Sequence, residues 1–218
     1  MSNKKALVVV VDDHPLFRER LCQLINNELD MEICGEADSA QQAIQIIRDT
    51  SPDLAIVDIT LKTSSGLELI KSIRALSIGV PVLVLSMHDE SLYAERALRA
   101  GAMGYITKNE EATQVLLAVR SVLAGKIYLS NEMTSTFLKG LTAGGPKVSL
   151  RPVDRLTDRE LQVLDLIGRG RTSRAIAEEL KLGVATIDTY RARIKEKMNF
   201  QNAMELQHFA IRWVSERE

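Results

Sequence analysis

The chain has 218 residues, 45% of them hydrophobic and 26% charged, with a formal net charge of −1 at pH 7. The length suits one or two globular domains, and so balanced a charge excludes a protein that holds polyanions by bulk positive charge. The charge is uneven: residues 151–218 carry 13 Lys+Arg and 11 Asp+Glu, leaving 15 and 18 for residues 1–150, so +2 against −3.

Short apolar runs punctuate the first part of the chain: ALVVVV (6–11), MEICGEA (31–37), DLAIVD (53–58), VPVLVLS (80–86) and MGYIT (103–107). Four are rich in Val, Ile and Leu with little alternation, the pattern of strands covered on both faces of a parallel sheet. Amphipathic segments separate them. Phe17, Leu21, Leu24 and Ile25 share one helical face, and Pro15 suits that helix's first turn, where no N–H is needed. Ala40, Ala43, Ile44 and Ile47 share the next, opened by a predicted capping box, Ser39-x-x-Gln42. Leu67, Ile70 and Ile73 mark a third helix after Gly66. Residues 90–100 form a fourth, stopped by Gly101. Asn109 is the expected cap of a fifth, with Glu110 and Glu111 in its first turn and Val115, Val119 and Val122 inward. Five β/α units predict an α/β fold: a flavodoxin-like, doubly wound parallel sheet of five strands, with the order 2-1-3-4-5 favoured of the two common choices.

After Gly125 this rhythm stops. Residues 130–141 read as a short helix with Met133, Phe137 and Leu141 on one face. TAGGPKVSLRPVD then reads as a linker. Residues 156–216 carry four helical patterns and no strand. LTDRELQVLDLIGRG opens with a capping box, Thr157-x-x-Glu160, and turns Leu161, Leu164 and Ile167 inward. TSRAIAEEL, the turn KLG and VATIDTYRARIKEKM have the helix–turn–helix layout, with Val184, Ile187, Ile194 and Met198 on one side of the second helix. AMELQHFAIRWV closes this small all-α unit. Cys22 and Cys34 stand in no metal-ligand spacing and no CxxC pair, and read as buried thiols of a reducing compartment. The N-terminal apolar run is too short for a signal peptide, and nothing approaches the ~20 apolar residues of a membrane span. A soluble, cytoplasmic protein is expected.

In an open parallel sheet, ligands sit beyond the carboxyl ends of the strands. Asp12 and Asp13 end the first strand and Asp58 the third, so the predicted order brings three carboxylates together. Three anions in one crevice call for a cation, and a few oxygen ligands completed by water suit Mg²⁺. Ser86 ends the fourth strand and Lys108 follows the fifth. A carboxylate nucleophile, a divalent metal, an ammonium and a hydroxyl make a phosphoryl-transfer set.

With VDD (11–13), Asp58 after DLAIV, Gly66, the serine of VLVLS and the lysine of GYITK, residues 5–124 resemble the receiver domain of bacterial two-component response regulators. The resemblance implies that Asp58 accepts phosphate from a sensor histidine kinase. It implies that Asp13, Asp58 and the Thr60 backbone carbonyl bind Mg²⁺ (or Mn²⁺), with Asp12 acting through water. Ser86 and Lys108 would hold the phosphoryl oxygens, and Tyr105 matches an aromatic that reorients with the serine; without the resemblance it reads as a half-buried strand residue. Thr60 and His88 occupy positions that tune dephosphorylation in the family. Two departures stand out. Asn109 replaces the usual cis proline after the lysine, and Lys62 replaces a common proline after the acceptor.

The segment RARIKEK (191–197) places Arg191, Arg193, Lys195 and Lys197 within seven residues, where a recognition helix meets the major groove. LTDRELQVLDLI-x-x-G, AIAEEL and T-I-x-T-Y-x-x-x-I-x-x-K-M make residues 152–217 similar to the LuxR-type DNA-binding domain, with the helix–turn–helix at about 173–192. Receiver and DNA-binding domain together identify the chain as a member of the NarL/FixJ family, joined across a linker at 125–151. The resemblance implies DNA contacts from Asp188, Thr189, Ala192, Arg193 and Lys195, with Thr172, Ser173 and Thr186 near the backbone; Arg191 joins them as part of the basic run. Asp188 stands for a common Lys and Tyr190 for a common His, so the preferred site need not match that of familiar members.

The expected function is a transcriptional regulator switched by Mg²⁺-dependent phosphorylation of Asp58, with no turnover of an external substrate. Phosphorylation would release the DNA-binding domain, or drive homodimerisation, or both, with half-sites about 34 Å apart. Ile211 and Val214 of the last helix are candidate dimer contacts. The alternatives are a pseudo-receiver that regulates transcription without phosphate, and a haloacid-dehalogenase-like phosphatase. The latter needs Asp-x-Asp-x-Thr, and Asp58-Ile59-Thr60 lacks the second acid.

Overall fold

The computed structural model describes residues 4–61, 65–142 and 152–215, without the side chains of 137–142, 152 and 154. Lys62, most of the TAGGPKVSLRPVD segment and the side chains of Phe137 and Leu141 therefore lie outside the described residues. The chain divides into two compact units, residues 1–143 and 144–218.

The first unit runs β1 (Ala6–Val11), α1 (Pro15–Asn26), β2 (Met31–Ala37), α2 (Ala40–Thr50), β3 (Leu54–Val57), α3 (Gly66–Ala75), β4 (Val82–Ser86), α4 (Glu90–Ala100), β5 (Gly104–Thr107), α5 (Ala112–Leu123) and α6 (Asn131–Thr142). Every strand pair is parallel, in the order β2-β1-β3-β4-β5. The apolar runs account for this. Val8 and Val10 of β1, Leu54 and Ile56 of β3, and Leu83 and Leu85 of β4 pack with Leu21 and Ile25 of α1 and with Val115, Val119 and Val122 of α5. Their neighbours Val9, Val11, Ala55, Val57 and Val84 alternate to the other face and are buried as well. Each such side chain contributes roughly 1.5–3 kcal/mol on burial, enough to hold polar groups at the strand ends in place.

The helix starts correct several sequence expectations. Ser39 is the N-cap of α2, but its hydroxyl accepts no capping bond; Gln42 accepts instead from the Asp38 N–H, at 3.0 Å. Asn109 caps nothing: Glu111 is the N-cap of α5 and no acid lies in its first turn. The chain makes a turn first, with Glu110 N–H donating to the Thr107 carbonyl, and this delays the helix. The peptides here are trans. Cys22 is buried but Cys34 only half-buried, and both are free thiols; burial, then the Glu36 carboxylate, pushes the Cys22 thiol up to about 12.

The second unit has a short 3₁₀ turn (Pro152–Arg155), α7 (Asp158–Gly168), α8 (Ser173–Glu179), α9 (Val184–Met198) and α10 (Ala203–Ser215). The Thr157/Glu160 capping box forms in full. In the turn between α8 and α9, Lys181 takes the left-handed conformation (φ 53°), while Gly183 is the ordinary N-cap of α9. Ile187 and Ile194 are buried as the periodicity requires, but Val184 is exposed because it opens α9 beyond the reach of its neighbours. Val214 is buried too, packed against Gly168, where an added Cβ would lie 2.4 Å from the Val214 side chain and from the Ala210 carbonyl. Of the pair in α10 considered for a dimer contact, Ile211 is exposed and Val214 belongs to the core.

Gly66 joins this framework to the acidic strand ends. It is buried at the start of α3, and its N–H donates to the Ile59 carbonyl. A Cβ there would stand 2.0 Å from the Asp58 carbonyl oxygen, a backbone atom that cannot step aside. Gly66→Ala should therefore destabilise the first unit by about 1–3 kcal/mol, as overpacking does, measured by denaturant unfolding followed by far-UV circular dichroism.

Candidate functional site

Asp12 and Asp13 follow β1, Asp58 follows β3 and Lys108 follows β5, so parallel pairing delivers all four to one end of the sheet. The three carboxylates are almost fully buried. The Lys108 ammonium lies 2.6 Å from Asp12 Oδ2 and 2.8 Å from Asp58 Oδ2. The ammonium also lies over Phe17, with Nζ 4.4 Å from the ring centroid, so an aromatic face and two carboxylates hold the cation. Burial pushes the Asp58 carboxyl above the usual carboxylate range; Lys108 opposes that and Asp12 adds to it. The Thr60 N–H donates to Asp58 Oδ1 at 3.3 Å.

Asp12, Asp13, Asp58 and His14 each offer a ligand atom within 4.8 Å of the others. The donor set is chiefly hard carboxylate oxygen, which fits a small divalent cation. His14 is a member that sequence reasoning left unassigned. Its signal was position alone, directly after the acid pair.

Ser86 is fully buried at the end of β4, and its Oγ accepts the His88 N–H at 3.3 Å. Tyr105 is wholly buried, not half-buried as its place in a strand suggested, and its hydroxyl donates to the His88 carbonyl at 2.8 Å. Burial first, then Tyr93, pushes its phenol well above the ordinary value, so it remains a donor. His88 is half-buried: its Nε2 is 3.0 Å from Thr60 Oγ1 and its ring packs at a 33° tilt on Tyr93, centroids 4.7 Å apart. Ser86, Thr60, His88 and Tyr105 are thus one connected group beside Asp58.

In the second unit, Thr172 is the N-cap of α8, its hydroxyl accepting from the Ala175 N–H, and Ser173 opens the helix half-buried. Along α9, Thr186, Asp188, Thr189, Ala192 and Arg193 are exposed, and Arg191, Lys195 and Tyr190 are half-buried. Asp188, Thr189, Ala192 and Arg193 lie away from the buried Ile187 and Ile194, whereas Tyr190 and Arg191, three and four residues from Ile187, flank that buried stripe. Thr189 Oγ1 donates back to the Ala185 carbonyl at 2.9 Å. Lys197 leaves the basic set: its ammonium lies 2.6 Å from Glu160 Oε2, and that carboxylate is 2% exposed. The same carboxylate oxygen accepts the Thr157 N–H at 2.7 Å. In the sequence Glu160 is legible only as a cap, because its cation lies 37 positions away.

Comparison with known proteins agrees with both units. Residues 8–120 match the response regulator receiver domain family, and residues 154–210 match the bacterial regulatory proteins, luxR family. The response regulator UvrY of Escherichia coli K12 is 30% identical over 205 residues, 94% of this chain and 93% of that protein. BvgA of Bordetella pertussis, described as a positive transcription regulator of virulence factors, is 34% identical over 212 residues, 97% of this chain and 98% of that protein. Among solved structures, a LuxR-family two-component response regulator from Aurantimonas superposes with a TM-score of 0.59 at 31% identity, covering 64% of this chain and 99% of its own.

The Glu160–Lys197 pair makes a prediction. Burial opposes the charged carboxylate, but Lys197 and the Thr157 bonds outweigh it and hold the carboxyl below its usual value. A carboxyl depressed on folding stabilises fully above its unfolded pKa, ~4.3, and that stability is lost as pH falls through the folded value. Lys197→Met should cost the second unit about 1.5–3 kcal/mol at pH 7 and flatten its stability loss below about pH 4.3. The single tryptophan, Trp213, lies in α10 and reports this unit's unfolding by fluorescence in the full chain.

Proposed function

The chain belongs to the response regulators that join a receiver to a LuxR-type DNA-binding domain, and from that premise we propose that phosphate taken up by Asp58 controls its binding to DNA. The observation that carries the reading is the buried Asp58 carboxylate, paired with Lys108 at 2.8 Å and facing Asp12 and Asp13. A divalent cation, Mg²⁺ or Mn²⁺, held by Asp13, Asp58 and the Thr60 carbonyl with Asp12 through water, would supply charge neutralisation for the incoming phosphoryl group. The Asp58 oxygen forms the new P–O bond as the P–N bond of a kinase phosphohistidine breaks, and the donor imidazole leaves. Lys108 and the Ser86 hydroxyl receive phosphoryl oxygens. The products are an aspartyl phosphate and the free kinase; no external substrate turns over.

Tyr105 and Ser86 carry the signal outward in this reading. Ser86 Oγ already accepts the His88 N–H, and Tyr105 already holds the His88 carbonyl. A serine drawn toward phosphate gives up the His88 N–H, and the β4–α4 connection shifts with it. Two bonds lie in its path: the Tyr105 N–H donates to the Tyr128 carbonyl at 3.0 Å, and Glu90 in the first turn of α4 accepts the Ser130 N–H at 2.9 Å. The segment that leaves the receiver is therefore tied at both points to the face that moves.

In the second unit α9 is the recognition helix, with Arg191, Arg193 and Lys195 meeting phosphates or guanine, Asp188, Thr189 and Ala192 facing base edges, and Thr172, Ser173 and Thr186 beside the sugar-phosphate backbone. Asp188 accepts from cytosine N4 in this arrangement. The partners are a sensor histidine kinase, double-stranded DNA and a second copy of the chain, in the cytoplasm.

Incubation with acetyl phosphate and Mg²⁺ should label the wild type with acid-stable, base-labile phosphate and leave Asp58→Asn unlabelled, measured by mass spectrometry or Phos-tag electrophoresis; equal labelling of both would remove Asp58 as acceptor. On DNA, Arg193→Ala and Lys195→Ala should each weaken binding and lower the slope of log affinity against log salt by about 0.9, measured by fluorescence anisotropy on duplexes selected from a random pool. An unchanged slope in both would place the contact surface elsewhere.

A further inference from the structure

We propose that Arg18 is a positioning residue of the cation site: with Glu36 it clamps the peptide that carries Asp13, and so sets the carboxylate geometry a divalent ion requires. The inference rests on the reading that this cleft holds a divalent cation; what it adds is the group that holds the acid pair in register.

Arg18 stands in the opening turn of α1, where the helix dipole disfavours a cation, and no acid shares that turn. Local rules argue against it, so its partners are tertiary. Its Nη1 donates to the Asp12 carbonyl at 2.6 Å, and its Nε donates to Glu36 Oε2, in β2, at 3.2 Å. Long side chains on a helix point back toward its N-terminus, which is how a residue six positions on reaches Asp12. The side chain is only 20% exposed, whereas an arginine ordinarily lies in water.

The Asp12 carbonyl belongs to the same planar peptide as the Asp13 N–H. The peptide before Asp12 is still held by the sheet: its N–H donates to the Ala37 carbonyl at 3.0 Å, and the Val11 carbonyl accepts the Asp58 N–H at 2.8 Å. The peptide after Asp12 has left the strand, and there Arg18 takes over. Turning that peptide would swing Asp13, whose carboxylate the proposed function places directly on the ion. Glu36 stops the guanidinium from following, and its place in β2, next to Ala37, fixes Glu36 in turn. The charges of Arg18 and Glu36 cancel, so the pair leaves the balance between Lys108 and the three acids unaltered and acts through geometry.

The test uses the full-length chain, stripped with chelator and titrated with Mn²⁺ as a paramagnetic probe, free Mn²⁺ being read by electron paramagnetic resonance. Charge and positioning predict opposite signs. Removing a cation beside three carboxylates would by charge alone tighten a dication, whereas freeing the Asp13 peptide weakens it. Arg18→Met should weaken Mn²⁺ binding by about tenfold, the lower end of what groups behind a metal's ligands contribute. The Mg²⁺ concentration for half-maximal labelling by acetyl phosphate should rise by about the same factor, with the rate at saturating Mg²⁺ within about twofold of wild type. Mn²⁺ affinity unchanged or raised in Arg18→Met would overturn the assignment. Should that chain not fold, Arg18→Lys decides. It keeps the charge but loses the planar fork that spans the Asp12 carbonyl and Glu36, so severalfold weaker binding upholds the clamp and unchanged binding overturns it. A wild type that takes up neither Mn²⁺ nor phosphate removes the reading beneath the inference; one that takes up both, with variants indistinguishable from it, removes the inference alone.

Discussion

Three carboxylates buried at the ends of two adjacent strands repel one another, and the first unit is built around holding them there. At about 4 Å, two like charges in a partly wet site cost about 4 kcal/mol. Lys108 meets part of that cost by lying between Asp12 and Asp58, and Phe17 keeps its ammonium from swinging away. The remainder is borne by the sheet. Val8–Val11, Leu54–Val57 and Val82–Leu85 are buried on both faces, so the strand ends cannot retreat without exposing the core.

The acids and the neighbouring hydroxyls form a single mechanical unit for the same reason. Ser86, Thr60, His88 and Tyr105 are joined by short polar contacts in surroundings where an unmade hydrogen bond is expensive. In the proposed mechanism a change at Asp58 is answered by rearrangement next door. Tyr105 lies in the strand whose edge pairs with the segment around Tyr128, so that rearrangement reaches the chain leaving the receiver through backbone hydrogen bonds as well as side chains.

In the second unit the basic residues of α9 divide into two kinds. Lys197 turns to Glu160, a buried capping carboxylate of α7, and so anchors the end of the recognition helix. Arg193 stays on the exposed face. Seven residues that look like one cationic run thus contain both an exposed cation, assigned to DNA in the proposed function, and the pin that holds the helix.

Hydrophobic patterning by itself determined the five strands and their parallel arrangement, because unalternating apolar runs need cover on both faces; the order that gathers Asp12, Asp13, Asp58, Ser86 and Lys108 was one of two common choices until the fold decided it. It also determined the Thr157/Glu160 capping box, where both partners lie three residues apart. Tertiary structure decided what depends on distant partners. Glu160 found Lys197 across two helices, Gly168 made room for Val214, and the Thr107–Glu110 turn moved the start of α5 past Asn109. His14 belongs to the same class. Its place after the acid pair was plain in the sequence, but only folding shows its imidazole among the carboxylates, since one backbone torsion sends a side chain inward or outward and no periodicity encodes that choice.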